Sequence, residues 1–244
     1  MIQLGRYGLN CALCDDMGLG KTIQSLSVVL NETKVQKQSQ PGSNPVSLIV
    51  CPNTLTFQWK KEVEKFFSEQ KVRIAFFESF QKKGVIEDAL NGDLDLIITS
   101  YEKARNDIQL LQKLSFFYIV LDEGHKIKDA KSKTTIAIKS LKAERKLILS
   151  GTPLQNKVKE LWSLFDFLMP NFLEDEREFN ARYNKFLTSN LKKLSENLEE
   201  TQQFVRALRS LKKRIAPFIM RRTKEEVLKD LPPKMIQDFE CEMT

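Results

Sequence analysis

The chain has little cysteine or histidine for its length: its 244 residues include four cysteines and one histidine. Cys11, Cys14, Cys51 and Cys241 are too few and too unevenly spaced for a disulfide framework, which favours an intracellular protein. Cys11 and Cys14 lack a second cysteine or histidine pair, so their spacing predicts buried strand residues rather than a metal or redox site. No apolar run approaches the ~18 residues that a membrane span requires, and we therefore expect a soluble protein.

Basic residues outnumber acidic ones, 39 to 32, which gives a formal net charge of +7 and a pI near 9.1. This balance favours a polyanionic partner through counterion release, but many proteins without such a partner are equally basic. Apolar residues make up 41% of the sequence, which is enough for a substantial core. The composition therefore predicts a globular protein and leaves its partner open.

Short apolar segments alternate along the chain with stretches of helical periodicity. The apolar segments are residues 11–14, 47–51, 72–77, 94–99, 116–121 and 146–149. Apolar strands that alternate with helices are typical of a parallel sheet covered on both faces. We therefore predict an α/β fold with a mostly parallel sheet flanked by helices.

The helical stretches carry apolar residues near the 3.6-residue period. They are residues 22–30, 55–67, 101–114 and 132–141, followed by 158–168, 176–187 and 191–214. Residues 33–45 are rich in Lys, Gln, Ser, Pro and Gly and predict an exposed loop. No further strand is expected after Pro153, so a helical extension follows the sheet.

A loop with two glycines follows the first predicted strand and precedes a helix. Gly18 and Gly20 allow the backbone N–H groups to turn toward an anion, and the helix that begins at Lys21 directs its positive dipole to the same point. We expect Lys21 to reach the β and γ phosphates of ATP and the Thr22 hydroxyl to ligate Mg²⁺. Asp15 replaces the first glycine of the general phosphate-loop pattern, so an ordinary turn with an incidental lysine is the alternative. The predicted ATP-binding residues are Asp16, Met17, Gly18, Leu19, Gly20, Lys21 and Thr22.

Two carboxylates, Asp122 and Glu123, follow the apolar strand 116–121. The carboxyl ends of parallel strands are where such sheets bind ligands. Asp122 is suited to holding Mg²⁺, and Glu123 to orienting or deprotonating the water that attacks the γ-phosphate. Together with Lys21, they are the predicted catalytic residues. Without the other motifs, a charged loop after a buried strand would explain them equally well.

A polar segment with Ser150, Gly151 and Thr152 follows the last predicted strand. Its hydroxyls are candidates to hydrogen-bond His125 or the acidic pair and so to couple the nucleotide state to the rest of the molecule. The alternatives are an ordinary turn and a polar surface histidine.

In chain order, these motifs resemble the first RecA-type lobe of the SWI/SNF-type remodelling ATPases of helicase superfamily two. The resemblance is carried by residues 16–22, 122–128, 149–156 and 161–167, and it covers essentially the whole chain. It implies a RecA-like P-loop domain that uses ATP and Mg²⁺.

Further segments resemble the branch of that family that removes the TATA-box-binding protein from DNA. They are residues 14–22, 51–56 and 231–238, together with Trp59. Residues 122–127 also resemble the transcription-coupled-repair remodellers, which remain the rival branch. The first branch implies a nuclear protein that contacts the TATA-box-binding protein through regions outside this chain.

The resemblance also implies ATP-driven movement along double-stranded DNA. Thr54, Thr99 and Ser100 are candidate contacts to the DNA backbone, because small hydroxyls near helix starts position phosphates without reading bases. Ordinary helix caps are the alternative for each residue.

The expected organisation has three parts. Residues 1–156 form the ATP-binding lobe without its upstream adenine-binding segment, 157–230 form the helical extension, and 231–244 form a linker toward a second lobe. The family's second lobe supplies arginine fingers, which are worth ~10³ to 10⁵ in rate. We therefore expect the isolated chain to hydrolyse ATP barely or not at all. The alternatives are a nucleosome or transcription-coupled-repair remodeller and a truncated module that binds ATP or DNA without catalysis.

Overall fold

The structure, a computed structural model, describes residues 1–78, 81–151, 158–188 and 198–227. Its described strands form one sheet in the order β3-β4-β2-β5-β6-β1-β7, and every neighbouring pair is parallel. The strands are β1 Cys11–Leu13, β2 Ser47–Cys51, β3 Ile74–Phe76, β4 Leu96–Ser100, β5 Ser115–Leu121, β6 Lys142–Leu149 and β7 Ile219–Met220. The predicted parallel α/β fold is confirmed.

The apolar character of the central strands is explained by burial on both faces of the sheet. In β2, Leu48 and Val50 pack into the hydrophobic cluster on one face. Ile49 and Cys51 point the other way and pack into the cluster on the opposite face. Successive side chains of a strand alternate between faces, so a sheet covered on both sides needs apolar residues at nearly every position. Because all strands run parallel, their carboxyl ends meet at one edge.

Helices cover both faces of this sheet and continue beyond it. They are α1 Ile2–Arg6, α2 Lys21–Ser39, α3 Thr56–Phe66, α4 Lys82–Asn91, α5 Tyr101–Asn106, α6 Ile108–Leu111, α7 Lys133–Lys139, α8 Val158–Leu168, α9 Glu176–Thr188, α10 Leu198–Ile215 and α11 Lys224–Val227. The single helix predicted over 101–114 is two short helices separated at Asp107. None of the helices in these ranges is both long and apolar enough to cross a membrane.

The predicted loop over residues 33–45 is wrong in its first half, because α2 continues to Ser39. Lys and Gln have high intrinsic helix propensity, so a polar composition does not stop a helix. The helix ends just before Pro41 and Gly42, the first residues in this stretch that oppose helix formation. The polarity of the segment reflects its exposed surface.

The expectation of no strand after Pro153 is also wrong. The two-residue strand β7 pairs in parallel with β1, with Ala12 opposite Ile219 and Leu13 opposite Met220. A strand of two residues is too short to show a recognisable alternation. It nevertheless returns the chain from the helical region to the edge of the sheet beside β1.

The helical region after the sheet has a small core of its own. Phe165 of α8, Phe179 of α9 and Leu211 of α10 pack there with Leu173. The predicted helices are confirmed where they are described; residues 191–197 lie outside the described ranges, as do the predicted domain boundary at 156–157 and the linker 231–244. The division into domains stays a prediction.

Candidate nucleotide site

The loop between β1 and α2 has the backbone shape of a phosphate cradle. Gly18 and Gly20 both adopt left-handed conformations, with φ of 88° and 74°. Residues with a side chain are strained at such angles, which accounts for glycine at both positions. Gly20 is also the N-cap of the 19-residue α2, so the N–H groups at the start of that helix open onto the loop.

Lys21 is folded onto this loop. Its ammonium donates hydrogen bonds to the backbone carbonyls of Asp15, at 2.7 Å, and Asp16, at 3.1 Å. The charge therefore lies above the loop, where the phosphates of a nucleotide are expected. The structure places the remaining predicted ATP-binding residues in the same loop and at the start of α2: Asp16, Met17, Gly18, Leu19, Gly20 and Thr22.

The phosphate loop and the acidic pair line one cleft at the carboxyl edge of the sheet. The cleft has a volume of about 370 Å³, within the usual range for small-molecule sites. Its lining includes Gly18, Lys21, Thr22, Asp122 and Glu123. Residues about 100 positions apart in sequence thus meet where the sequence predicted a nucleotide site.

Asp122 is buried and is oriented by neutral donors. The indole nitrogen of Trp59 donates to Oδ2 at 2.9 Å, and the backbone N–H of Glu123 donates to Oδ1 at 2.9 Å. Burial raises the pKa of the Asp122 carboxyl, the hydrogen bond from Trp59 opposes that rise, and the charge of Glu123 adds to it. A buried carboxylate beside a second carboxylate, held by uncharged donors, fits a divalent cation such as Mg²⁺.

The turn that carries Glu123 is held under strain. Glu123 adopts a left-handed conformation with φ of 51°, which costs an L-residue with a side chain about 1 to 2 kcal/mol. A Cβ on the following Gly124 would lie 2.3 Å from Cγ2 of Ile148, so only glycine fits. Backbone strain of this kind persists where the surrounding structure enforces it, and it is concentrated at functional sites.

His125 lies beside the acidic pair. Its Nδ1 is 3.2 Å from Oε2 of Glu123, yet the contact lacks hydrogen-bond geometry and leaves Nδ1 without an accepted partner. The predicted coupling of His125 to residues 150–152 is not formed by this contact, and it stays a prediction.

The third motif approaches the phosphate loop through Gly151. A Cβ on Gly151 would lie 2.9 Å from Cγ of Met17 and 3.6 Å from Nζ of Lys21. Ser150 is buried, and its backbone N–H donates to the carbonyl of Leu13 at 3.1 Å. Thr152 lies outside the described residues. The segment after β6 thus reaches the nucleotide loop, as its position in the sequence implied.

The three candidate DNA contacts differ in exposure. Thr54 is exposed, in the short 3-10 turn Asn53–Leu55 that precedes α3. Thr99 and Ser100 are each only 1% exposed at the end of β4. The Ser100 hydroxyl accepts a hydrogen bond from the backbone N–H of Lys103 and caps α5, as the alternative interpretation had it. Their role as DNA contacts stays a prediction, and Thr54 is the one whose side chain faces solvent.

Sequence reasoning assigned no role in this site to Trp59, Tyr101 or Arg222. Tyr101 donates from its hydroxyl to the backbone carbonyl of Asp122 at 2.8 Å, so the carboxylate is held from the backbone as well. Arg222 donates to the buried side chain of Asp15. The one available signal was Asp15 itself, because an acidic residue in place of the usual glycine requires a partner if it is buried.

The fold and the site together define a P-loop nucleotide-binding lobe. More narrowly, the chain belongs to the SNF2-related domain family, whose profile matches residues 1–244. The predicted SWI/SNF-type resemblance is confirmed.

Its relatives include two TATA-binding protein-associated factors. It is 45% identical over 244 residues to BTAF1 of Arabidopsis thaliana, covering 99% of this chain and 12% of that protein. It is 42% identical over 246 residues to MOT1 of Saccharomyces cerevisiae, covering 98% of this chain and 13% of that protein. These similarities confirm the resemblance to the TATA-box-binding protein branch. The chain spans about an eighth of the length of these relatives.

The structure is also similar to a solved SWI2/SNF2 ATPase core from Sulfolobus solfataricus in complex with double-stranded DNA. The TM-score is 0.73 at 32% sequence identity, and the match covers 95% of this chain and 44% of that core. More than half of the archaeal core therefore has no counterpart in these 244 residues.

Proposed function

We propose that this chain is the ATP-binding lobe of a DNA-dependent ATPase that moves along double-stranded DNA and remodels protein–DNA complexes. The observation that carries the proposal is the meeting of the phosphate loop and the acidic pair in one cleft. Phosphoryl transfer depends on positioning and on neutralising charge, and both kinds of group are present there.

Each residue has a separate task in this proposal. Lys21 and the N–H groups of the loop hold the β and γ phosphates, and Thr22 and Asp122 hold Mg²⁺. Glu123 orients the attacking water and accepts its proton. Bound Mg²⁺ supplies the positive charge that offsets the phosphates. His125, Ser150, Gly151 and Thr152 couple this site to the rest of the motor, and Thr54, Thr99 and Ser100 lie nearest the DNA.

The target that best fits the relatives is the TATA-box-binding protein on DNA. The plant and yeast relatives are named as factors associated with that protein, and their similarity extends over nearly all of this chain. We infer that the whole protein dissociates it from DNA in the nucleus, through contacts made by regions outside these residues. The alignment with 44% of the archaeal core supports a site that needs a second lobe for rapid turnover.

The test replaces the matched region of the Saccharomyces cerevisiae relative by residues 1–244 of this chain. ATP hydrolysis is measured with and without duplex DNA for this hybrid and for the isolated chain, each also carrying Glu123→Gln. Glu87→Gln, on the exposed surface of α4, is the matched control. We expect DNA-stimulated turnover in the hybrid alone, its loss with Glu123→Gln, and no change with Glu87→Gln.

A second readout follows the release of labelled TATA-box-binding protein from a DNA duplex after ATP is added to the hybrid. Turnover without release would favour a nucleosome or repair remodeller. Absence of ATP binding would favour an architectural module. Brisk DNA-stimulated turnover by the isolated chain would overturn the claim that its catalytic site is incomplete.

A further inference from the structure

The segment after β7 runs directly along the phosphate loop, although about 200 residues separate the two in sequence. The backbone N–H of Cys14 donates to the carbonyl of Met220 at 2.7 Å, and that of Asp16 donates to the carbonyl of Arg222 at 3.0 Å. The N–H of Lys224 in turn donates to Oδ2 of Asp16 at 3.1 Å. The segment is thus hydrogen-bonded to the beginning of the loop over several consecutive residues.

Arg222 fixes the beginning of the loop through Asp15. Its backbone N–H donates to Oδ1 of Asp15 at 3.0 Å, its Nε donates to Oδ2 at 3.1 Å, and its Nη2 donates to the same oxygen. The Asp15 side chain is fully buried. Burial alone raises the pKa of this carboxyl, but the hydrogen bonds and charge of Arg222 outweigh burial and hold the pKa below its usual value.

The same guanidinium reaches the end of the loop. Nη2 of Arg222 also donates to Oε1 of Gln24 at 2.7 Å, and Nε2 of Gln24 donates to the backbone carbonyl of Leu19 at 2.8 Å. One side chain therefore connects the first residue of the loop to its last turn. The planar fork of arginine makes this possible, since its donors lie in fixed relative directions that a lysine ammonium lacks.

We propose that Arg222 is a positioning residue for the phosphates of ATP, acting through Asp15 and Gln24 on the shape of the phosphate loop. The inference rests on the proposed function, which supplies ATP as the ligand. A loop with two left-handed glycines is intrinsically adaptable, and its N–H groups bind an anion well only when they converge. Holding both ends of the loop removes an ordering cost that binding would otherwise incur.

The competing explanation is that Arg222 merely neutralises a buried carboxylate. Gln24 separates the two, because truncating it removes the connection to the end of the loop and leaves the Asp15–Arg222 pair intact. A purely structural pair predicts no change in phosphate affinity for such a variant. A positioning role predicts a loss in Gln24→Ala as well as in Arg222→Lys, which keeps the positive charge.

The experiment measures by calorimetry the Kd of the 244-residue chain for Mg·ATP and for inorganic tripolyphosphate, which tests the loop without the adenosine. The variants are Arg222→Lys, Gln24→Ala and their combination. Arg105→Lys is the matched control, since its guanidinium contacts only the neighbouring Asn106 in the described hydrogen bonds. Thermal unfolding of each variant is recorded in parallel.

We expect the Kd for both ligands to rise about tenfold in Arg222→Lys and about threefold in Gln24→Ala, with no change in Arg105→Lys. The combined variant should lose less than the product of the two, because both act through one bridge. Unchanged affinity in folded Arg222→Lys and Gln24→Ala overturns the proposal; if Arg222→Lys does not fold, Gln24→Ala decides alone.

Lys21→Ala distinguishes this failure from failure of the proposed function. If Lys21→Ala binds both ligands as the unaltered chain does, the loop is not the phosphate site and both proposals fail. If Lys21→Ala loses binding while Arg222→Lys and Gln24→Ala retain it, the site stands and only the positioning role of Arg222 is wrong.

Discussion

The indole nitrogen of Trp59 donates a hydrogen bond of 2.9 Å to Oδ2 of Asp122, joining α3 to the carboxyl end of β5. Trp59 is 1% exposed, so this donor has no access to solvent. The other carboxylate oxygen accepts from the N–H of Glu123. Both oxygens of the proposed Mg²⁺ ligand are therefore oriented before any ligand binds, which is how neighbouring residues tune a metal site.

Trp59→Phe should weaken binding of Mg·ATP by about tenfold, because it removes a hydrogen bond to a charged group while keeping an aromatic ring in the core. Binding measured in EDTA should change much less, since the effect passes through the metal ligand. Calorimetric titration with and without Mg²⁺ provides the comparison.

Trp162→Phe is the control for this prediction. The Trp162 indole donates to the carbonyl of Glu174 at 3.1 Å, away from the cleft, so its loss affects stability without affecting the metal ligand. Equal effects of the two substitutions on Mg·ATP binding would contradict a positioning role for Trp59.

Gly20→Ala should lower both stability and phosphate affinity. No atom lies within 4 Å of the added Cβ, so the cost comes from the left-handed backbone alone, at about 1 to 2 kcal/mol. For a chain of this length, each kcal/mol corresponds to about 2 to 4 °C in Tm. Differential scanning calorimetry measures the shift.

Gly84→Ala is the matched control, because Gly84 lies in α4 without a left-handed φ and also has open space around its Cβ. Alanine there should be neutral or stabilising by about 0.5 to 1 kcal/mol. A Gly20→Ala variant as stable as Gly84→Ala would show that the loop does not require its left-handed turn.

The central strands could be predicted from sequence because burial on both faces leaves a run of apolar residues, as in β2 and β5. The phosphate loop and Asp122 could be predicted because their chemistry is local to a strand end. The helical course of α2 beyond Thr33 could not be, since polar composition alone does not distinguish an exposed helix from a loop. The role of Arg222 depends on a two-residue strand and on a contact across about 200 residues, and no local pattern records either.

The stability of the fold should fall in acid partly through Asp15. Its folded-state pKa lies below its unfolded value of about 3.9, so its ionised form contributes stability that is fully present above that value. The contribution is lost as the pH falls through the lower folded-state pKa. Asp15→Asn should therefore be less stable than the unaltered chain at pH 7, and the gap should narrow steadily below about pH 4.

Urea unfolding at a series of pH values tests this dependence. Asp88→Asn, at an exposed position on α4, should show no such narrowing gap. A difference between Asp15→Asn and the unaltered chain that stays constant from pH 7 to pH 3 would mean that the ion pair with Arg222 contributes nothing to the pH dependence.

Gly124→Ala should separate ATP binding from hydrolysis in the hybrid protein. The new methyl group would lie 2.3 Å from Cγ2 of Ile148, so the turn that carries Glu123 must move while the phosphate loop is untouched. Displacing a catalytic group by about 1 Å can cost ~10²-fold in rate. We expect the kcat of DNA-stimulated hydrolysis to fall at least tenfold and the Kd for Mg·ATP to change less than threefold.

Rescue by a second substitution decides whether the clash is the cause. Ile148→Ala removes the methyl group that the Cβ added by Gly124→Ala would meet, although it opens a cavity in the sheet and costs about 2 to 5 kcal/mol of stability. Against the Ile148→Ala background, Gly124→Ala should therefore lower kcat by much less than it does alone. If the loss in kcat is the same in both backgrounds, the effect of Gly124→Ala arises from the backbone conformation of the turn and not from its close packing against β6.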